Sequence, residues 1–331
     1  MCELTLTQQD QERFVYKSPY ADDEWAYDLW EKHEDLHWLP KEVPMKDDVF
    51  DWNSRLTDAD RDFLTSILGF FVQADIEVHD TYVHDYLPHY NSLGVKQMLT
   101  GFAAREPIHI MGYAYGVESL LHGEAQRDVF EKFMNNKNLM CLHNALNKYS
   151  VGSNCTDLER YKHMVATTLF GEGVMLFGQF AMLLNYARNG SMRGIGQIVS
   201  WSIRDEDAHV YGVTQLMKRD KRFNGIDRAA VYDGIYKEVF PLIQAFVEDC
   251  FDVYTGSDSS IKDRLDLEGV LKFLGYQAER RKRQAGISDE HSTTNPYPWF
   301  DAMVAGVEHA NFFEQRATEY SKGNLTGNFE Y

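Results

Sequence analysis

Four acidic residues occupy positions where the surrounding pattern requires apolar side chains. They are Asp75, Glu106, Glu172 and Glu206. Each lies in a segment whose apolar residues recur at the spacing of a buried α-helical face. An ionised carboxylate in an apolar interior needs hydrogen-bond donors, a raised pKa or a metal ion. The chain must therefore adopt a fold that compensates all four of these groups.

Two of the four carboxylates carry a histidine three residues further on. Glu106 is followed by His109, and Glu206 is followed by His209. Residues three apart share one face of an α-helix, so each pair points the same way. The separation in sequence between Asp75 and Glu106 is nearly the same as the separation between Glu172 and Glu206. The sequence thus repeats one order twice, a carboxylate helix and then a Glu-x-x-His helix.

This repeated order is typical of ferritin-like bundles that hold two iron or two manganese ions, with an aspartate here at one glutamate position. Carboxylate and imidazole ligands suit both metals, and four carboxylates balance two divalent charges. A single Glu-x-x-His is a weak signal, whereas the repeat is specific. We expect two metal ions per chain, iron first and manganese as the alternative. The expected ligands are Asp75, Glu106, His109, Glu172, Glu206 and His209.

Two neighbours of Asp75 are competing candidates for the metal site. His79 lies one turn after Asp75, and Glu77 lies close by. Glu77 falls on the polar face of the same helix, so we expect it to be solvated.

Helical periodicity extends over most of the chain. Thr57 is a plausible N-cap for a helix that begins at Asp58, and Pro107 is expected to kink its helix rather than end it. Gly171 and Gly173 flank Glu172 and indicate either a backbone distortion or close helix packing. Further helices are predicted at about 92–122, 126–148, 157–187, 190–217 and 226–255, with a last one after NPYPWF to about Tyr320.

The absence of any convincing alternating strand pattern predicts an all-α fold. We expect one ferritin-like helical domain over residues 1–320, with additional helices around the bundle. Residues 1–55 are acidic and aromatic, which suits an N-terminal arm with short helices. Residues 321–331 are expected to form an unstructured C-terminal tail.

Composition excludes several classes of partner. The formal charge of −18 argues against nucleic acid and anionic membrane surfaces. The longest apolar stretch, VMLFGQFAMLLNYA, is too short to span a bilayer. Four cysteines without a CxxC motif fit a reducing compartment and argue against a zinc finger, so we expect a cytosolic protein. The basic run ERRKRQ at 279–284 is interpreted as a solvated helix face or end.

Five motifs carry a resemblance to a known family. REPIHIMGY, FGEGVMLFGQF, IRDEDAH, NPYPWF and NFFEQRATEY resemble the small (beta) subunit of class I ribonucleotide reductase, in order and across nearly the whole chain. The resemblance implies a homodimeric subunit whose O2-activated metal pair oxidises a tyrosine to a radical. The large (alpha) subunit then uses that radical to reduce ribonucleotides to deoxyribonucleotides. The family's six metal ligands fall on the six residues named above.

The resemblance also implies roles for four further residues. Tyr113, one turn beyond His109, matches the radical tyrosine. Asp205 is expected to accept the second N–H of a ligand histidine, His109 first, and Trp38 would continue that relay towards the surface. Tyr320 matches the tyrosine that hands the radical across the subunit interface. The alternatives are core roles for Tyr113 and Trp38 and an unstructured position for Tyr320. The tail 321–331 is expected to dock on the large subunit.

One position departs from the family pattern. Ser202 lies one turn before Glu206, where an apolar residue is common, while Leu176 and Phe180 keep their side of the pocket apolar. The Ser202 hydroxyl either shortens the radical's lifetime or bonds a backbone carbonyl. Tyr113 and Asp75 argue against the variety with a phenylalanine and a manganese-iron pair, but do not separate di-iron from dimanganese.

Two other classes of protein share this ligand pattern. An iron-storage protein of the bundle type is usually much shorter and needs no aromatic tail. A hydroxylase or desaturase needs a substrate cavity at the metals. Tyr113 and the tail favour the reductase subunit.

Overall fold

The described part of the protein is entirely helical. The computed structural model describes residues 23–304 except 153, 255–256 and 291, and it describes no side chain at 133 and 134. Within those ranges no strand occurs, which confirms the all-α prediction. The eleven α-helices are α1 (Glu24–Asp35), α2 (Lys46–Ser54), α3 (Asp58–Asp80), α4 (Leu93–Leu120), α5 (Glu124–Asn135), α6 (Lys137–Asn147), α7 (Asp157–Met164), α8 (Phe177–Arg188), α9 (Arg193–Arg219), α10 (Arg228–Phe251) and α11 (Leu267–Gln284).

Short segments of other helical types join these elements. The 3-10 turns are Pro40–Glu42, Leu87–His89, Lys221–Phe223 and Asp252–Tyr254. Two π-helical segments, Thr81–Tyr86 and Val165–Leu176, extend α3 and join α7 to α8. Residues 298–304 are also helical and begin the predicted last helix, whose remainder lies outside the described residues.

Helix α3 begins as the sequence predicts. Thr57 Oγ1 accepts a hydrogen bond from the Asp60 amide at 3.1 Å, and Asp60 Oδ2 accepts one from the Thr57 amide at 3.1 Å. This reciprocal capping box satisfies two amides at the start of the helix. The apolar stripe of α3 is buried at Leu64 and Phe71, and Asp75 is buried in line with it. The helix therefore carries a carboxylate into the core.

The bundle core consists of α3, α4, α9 and the rod formed by α7, Val165–Leu176 and α8. Helix α4 packs against α3 and α9, and α9 packs against the rod. Pro107 lies inside α4 without ending it. All six predicted ligands lie on these four elements, so the packing directs them to one region.

The rod that carries Glu172 is distorted where the glycines predict it. Val165–Leu176 is π-helical over twelve residues, and Glu172 lies within it. A Cβ added at Gly173 would lie 2.9 Å from the Arg281 side chain, so this glycine also allows α11 to approach closely. The predicted distortion is thus present around both glycines, and close packing is present at Gly173. Long π segments are rare and occur most often at functional sites.

The predicted N-terminal arm contributes to the core from residue 23 onward. Trp38 is buried between the helices. In α2, Asp51 accepts a hydrogen bond from the Met192 amide at 2.9 Å, and Asp48 accepts one from the Gly194 amide at 2.7 Å. These carboxylates satisfy free amides at the N-terminus of α9 and complement its dipole. The arm therefore fixes the helix that carries Glu206.

Two helix predictions need correction. The single helix expected at 126–148 is two helices, because Asn136 ends α5 and its side chain caps α6 by accepting a hydrogen bond from the Leu139 amide at 2.8 Å. The basic run 279–284 does end a helix, α11, as interpreted, but it is not wholly solvated. Arg281 is fully buried, bonds Asp207 at 2.8 Å and lies over the Phe177 ring.

The length argument against a membrane span also needs correction. The apolar stretch belongs to a longer continuous helix, Asp157–Arg188, which by length and composition is long enough to cross a membrane. In the fold, 94% of its most apolar window is buried. The helix is therefore apolar because it forms the centre of the bundle.

Candidate metal centre

The structure brings the six predicted ligand side chains together. Asp75, Glu106 and His109 form one group, here called the Asp75 site. The second group, called the Glu172 site, contains Glu106, Glu172, Glu206 and His209. Within each group the candidate ligand atoms lie within 4.8 Å of one another, and Glu106 belongs to both. This arrangement is what two neighbouring metal ions with a shared carboxylate require.

Both histidines present the same nitrogen to the carboxylates. Nδ1 of His109 lies 3.0 Å from Glu206 Oε1, and Nδ1 of His209 lies 3.0 Å from Glu106 Oε1. The Nε2 atoms face away from the four ligand carboxylates: Nε2 of His109 lies 3.2 Å from Asp205, and Nε2 of His209 lies 3.1 Å from His33. Each Nδ1 would therefore be the metal-binding atom, and with a metal bound there each neutral ring would carry its proton on Nε2.

The pKa values of the cluster indicate that its carboxylates require positive charge nearby to stay ionised. Burial, and then the neighbouring Glu106 charge, raises the pKa of Asp75 well above its usual value. Burial and the charge of Glu206 raise the pKa of Glu172 to about 8. Burial opposes charge on His209, yet the charges of Glu206 and Glu106 raise its pKa to about 10. Without cations, the cluster would thus hold extra protons.

The donor set fits two divalent metal ions. Both oxygens of Asp75 lack a hydrogen-bond partner in the described part of the chain, although the side chain is buried. Buried carboxylate oxygens are rarely left without a partner, and a metal ion is one of the few alternatives. Oxygen and imidazole ligands without a thiolate suit iron or manganese.

Asp205 connects the Asp75 site to Trp38. Asp205 Oδ2 lies 3.2 Å from His109 Nε2, and it accepts hydrogen bonds from Trp38 Nε1 at 2.8 Å and from Arg105 at 2.9 Å. Burial alone would raise the pKa of Asp205, but the His109 hydrogen bond and the charges of Arg105 and Arg204 hold it well below its usual value. The anionic Asp205 therefore orients His109 and accepts the hydrogen bond of the Trp38 indole.

Tyr113 lies in an apolar pocket beside the cluster. It is buried, and its ring stacks on Phe71 with centroids 4.7 Å apart. Phe71 stacks in turn on Phe180 at 4.7 Å, and Leu176 is also fully buried. Burial, and then the charge of Asp75, raises the pKa of Tyr113 well above its usual value. The phenol is therefore neutral.

Of the two roles that the sequence leaves open for Ser202, the structure shows the bond to a backbone carbonyl, whereas an effect on the radical's lifetime stays a prediction. Its hydroxyl donates to the Ile198 carbonyl at 3.1 Å, as serines in helices often do. It also lies within hydrogen-bonding reach of the Tyr113 hydroxyl, where it partly offsets the rise in the pKa of Tyr113.

Three residues of the site were missed by sequence reasoning. Tyr82 and Thr168 donate to the two oxygens of Glu172 at 2.7 and 2.9 Å. His33 in α1 places its Nε2 3.1 Å from Nε2 of His209. Tyr82 follows Asp75 at the spacing by which Tyr113 follows Glu106, so the pattern held a signal for it. Nothing local marks His33, because its contact with His209 is made between distant segments.

A cavity of about 400 Å³ reaches the centre from the surface. It extends from the exposed Asp80 and Ser150 to the buried Glu172 and passes both π-helical segments. Glu77 lines this cavity and contacts His143 at 2.5 Å, so it is not part of the ligand cluster. The cavity provides a path to the Glu172 site.

Two of the predicted functional elements cannot be placed. Tyr320 and the tail 321–331 lie outside the described residues.

The fold and the cluster define a dimetal carboxylate helical bundle, and comparisons with known proteins identify the family. The family model for the ribonucleotide reductase small chain matches residues 15–296. A probable ribonucleoside-diphosphate reductase small subunit of Invertebrate iridescent virus 6 is 36% identical, over 94% of this chain and 95% of its own length. The chain therefore belongs to the family of ribonucleotide reductase small chains.

Solved structures share the fold at low sequence identity. A putative class I ribonucleotide reductase from Bacillus halodurans aligns with a TM-score of 0.73 and 21% identity, over 85% of this chain and 99% of its own. Dimanganese(II)-NrdF from Streptococcus sanguinis aligns with a TM-score of 0.72 and 18% identity, over 86% of this chain and 96% of its own. These matches confirm the ferritin-like bundle.

Proposed function

We propose that this chain is the radical-generating small subunit of a class I ribonucleotide reductase and that Tyr113 holds the radical. The observation that carries the proposal is the position of a buried, neutral Tyr113 beside a six-residue ligand cluster. The family match favours this function over iron storage or hydroxylation.

The six side chains of the Asp75 and Glu172 sites would hold two metal ions. When bound and activated by O2, the metal pair supplies the oxidising equivalent for the tyrosine. We propose iron as the metal. Manganese is the alternative, because the ligand set accepts both ions and a fold neighbour carries dimanganese. The cavity that ends at Glu172 gives O2 a route to the centre.

The protein's own groups control the proton of Tyr113. A neutral phenol that loses an electron becomes strongly acidic, so its proton must leave at the same time. Asp75 is the carboxylate with the largest influence on the phenol, and the Ser202 hydroxyl partly offsets the rise in the pKa of the phenol. We propose that Asp75 accepts that proton. Phe71 and Phe180 exclude water and reductants from the ring.

Trp38, Asp205 and His109 provide the connection from the centre towards the surface. Their hydrogen bonds run without a gap from the indole to the ligand imidazole. We propose that oxidising equivalents travel along this path and that Tyr320 passes them to the large subunit. The surrounding arginines keep Asp205 anionic and the path fixed.

The remaining proposals concern assembly. We propose that the subunit is a cytoplasmic homodimer and that residues 321–331 dock on the large subunit. That tail contains glycine and asparagine and ends in the aromatic residues Phe329 and Tyr331, which suits a segment that orders on binding. A chain ending at Tyr320 should keep its metals and radical but bind the large subunit at least tenfold more weakly. Unchanged affinity would contradict this role of the tail.

Reconstitution with a large subunit tests the function directly. Metal-loaded, O2-treated protein is mixed with the large subunit and a ribonucleoside diphosphate, and deoxyribonucleotide is quantified. We expect turnover that requires both subunits. An iron-storage protein or a hydroxylase would give none under the same conditions.

A further inference from the structure

His209 has a hydrogen-bond partner outside the ligand cluster, as His109 does. Nε2 of His209 lies 3.1 Å from Nε2 of His33, and both rings are buried. The rings are 5.1 Å apart between centroids and tilted by 46°. His33 belongs to α1, outside the four elements that supply the ligands.

The proton arrangement between the two rings follows from the ligand geometry. Nδ1 of His209 faces the Glu106 and Glu206 carboxylates, so a metal in the Glu172 site would bind that nitrogen. A neutral imidazole that binds a metal through Nδ1 carries its proton on Nε2. Nε2 of His209 therefore donates, and Nε2 of His33 must accept. His33 is then neutral, with its own proton on Nδ1.

The surroundings of His33 support this orientation. Its Nδ1 faces Glu34 Oε1 at 3.8 Å and has no direct hydrogen-bond partner among the described residues, so a proton there points towards an anion. The Phe102 ring contacts the imidazole edge-on, with centroids 5.2 Å apart. The ring is thus held between an apolar wall and a carboxylate.

Arg105 fixes the acceptors of both ligand histidines. One of its terminal nitrogens donates to Asp205 Oδ2 at 2.9 Å, and the other donates to the His33 carbonyl at 2.9 Å. Asp205 faces His109, and His33 faces His209. One buried guanidinium, next in sequence to the shared ligand Glu106, therefore anchors both contacts.

We propose that His33 is a positioning residue for the Glu172 site, which accepts a hydrogen bond from Nε2 of His209 and so holds Nδ1 of that ring towards the metal. The proposal rests on the proposed dimetal function. Groups that orient a metal-binding histidine typically change metal affinity by about 10- to 100-fold when removed. His109 has an anionic partner in Asp205, whereas His209 has a neutral one. The two sites are therefore predicted to respond differently to substitution.

Anaerobic titration with Mn²⁺ tests this role without any turnover assay. Calorimetry gives the number of ions and their dissociation constants, and electron paramagnetic resonance separates single ions from coupled pairs. His33→Phe keeps the ring and removes both nitrogens, whereas His33→Gln restores an acceptor near the position of Nε2. His163→Phe is the matched control, because His163 is also fully buried but pairs with Asp85 at 3.2 Å.

We expect the wild type, His33→Gln and His163→Phe to bind two ions each with similar constants. His33→Phe should bind one ion normally and the other about 10- to 100-fold more weakly, with single-ion signals replacing the coupled pair. Two unchanged ions in His33→Phe would overturn the proposal, as would equal weakening of both ions. Failure of the wild type to bind two ions would instead contradict the dimetal function itself.

A second comparison covers the case in which His33→Phe does not fold. His33→Asn keeps an amide of similar polarity, but its acceptor does not reach the position of Nε2. It should lose affinity for one ion, whereas His33→Gln should not. Equal affinities in these two variants would overturn the role of His33.

Discussion

Two buried carboxylates in this protein, Asp60 and Asp75, have opposite hydrogen-bonding environments. Asp60 is fully buried and accepts hydrogen bonds from the hydroxyls of Tyr186, Tyr254 and Ser259 and from the amide of Ser260. The carboxylates of the metal centre are equally buried, yet both oxygens of Asp75 lack a hydrogen-bond partner among the described residues.

The pKa values follow this difference. Burial alone would raise the pKa of Asp60, but the hydrogen bonds from Ser260 and Ser259 lower it well below its usual value. At the metal centre, burial and like charges raise the pKa of Asp75 and Glu172. Asp60, which has donors, is therefore part of the fold's own stability, whereas Asp75, which has none among the described residues, requires a cation from outside.

The largest expected effect concerns Tyr113, at the metal centre. Tyr113→Phe removes only a hydroxyl, so the protein should fold and bind two metals. It should form no tyrosyl radical, because the phenol that would be oxidised is absent. Turnover with the large subunit should therefore fall more than about 100-fold. Electron paramagnetic resonance after O2 treatment and a turnover assay test both parts. Normal turnover would show that the metal pair itself stores the equivalent.

A substitution at Asp60 should lower the stability of the fold, whereas Tyr113→Phe should not. Asp60→Asn replaces one acceptor oxygen by a donor and leaves several buried groups without a partner. We expect a loss of about 3 kcal/mol and a melting temperature lower by roughly 5–10 °C, with two metals still bound. A melting temperature within about 1 °C of the wild type would show that the Asp60 hydrogen bonds are not needed.

In the metal-free protein, Asp60 and the metal centre should make stability depend on pH in opposite directions. Asp60 has a lowered pKa, so its stabilising contribution is present above about pH 4 and is lost as the pH falls further. Glu172, with a pKa of about 8, and His209, with a pKa of about 10, hold protons that the unfolded chain has released. Stability should therefore decline as the pH rises from about 5 to 10, because the folded state binds more protons there.

Melting temperatures measured at a series of pH values, with and without metal, test whether stability falls as the pH rises. Bound metals displace the extra protons, so the loaded protein should lose less stability at alkaline pH. Metal-free protein that gains stability between pH 6 and 9 would contradict the charge assignment.

The smallest expected effect is on the metal-free stability of Asp75→Asn. The raised pKa of Asp75 favours its neutral form in the metal-free protein, and asparagine is also neutral and of similar shape, so the metal-free variant should match the wild type in stability to within about 1 kcal/mol. It should lose most of the stabilisation that metal gives the wild type. A destabilisation as large as that of Asp60→Asn would remove the distinction between the two groups.

Local patterns were sufficient to predict the bundle and the six acidic and histidine side chains that the structure brings together. Each Glu-x-x-His pair needs only one helical turn, and Thr57 with Asp60 forms a capping box within four residues. The flanking glycines of Glu172 likewise indicated a distortion that the π segment confirms.

Contacts between distant segments could not be predicted. His33 meets His209 only because α1 packs against the bundle, and Arg281 is buried only because Gly173 leaves space for it. A histidine or a basic run carries no sign of burial when the partner that compensates it lies elsewhere in the chain. The same holds for Arg204, which was not singled out although it contacts Asp205.

Metal content per chain tests the central claim most directly. Fully loaded protein is analysed for iron, manganese and zinc beside Glu172→Ala, which removes one ligand of the Glu172 site. We predict two iron or manganese ions per chain in the wild type and at least one fewer in the variant. One zinc per chain, with the same metal content in Glu172→Ala, would contradict the dimetal assignment.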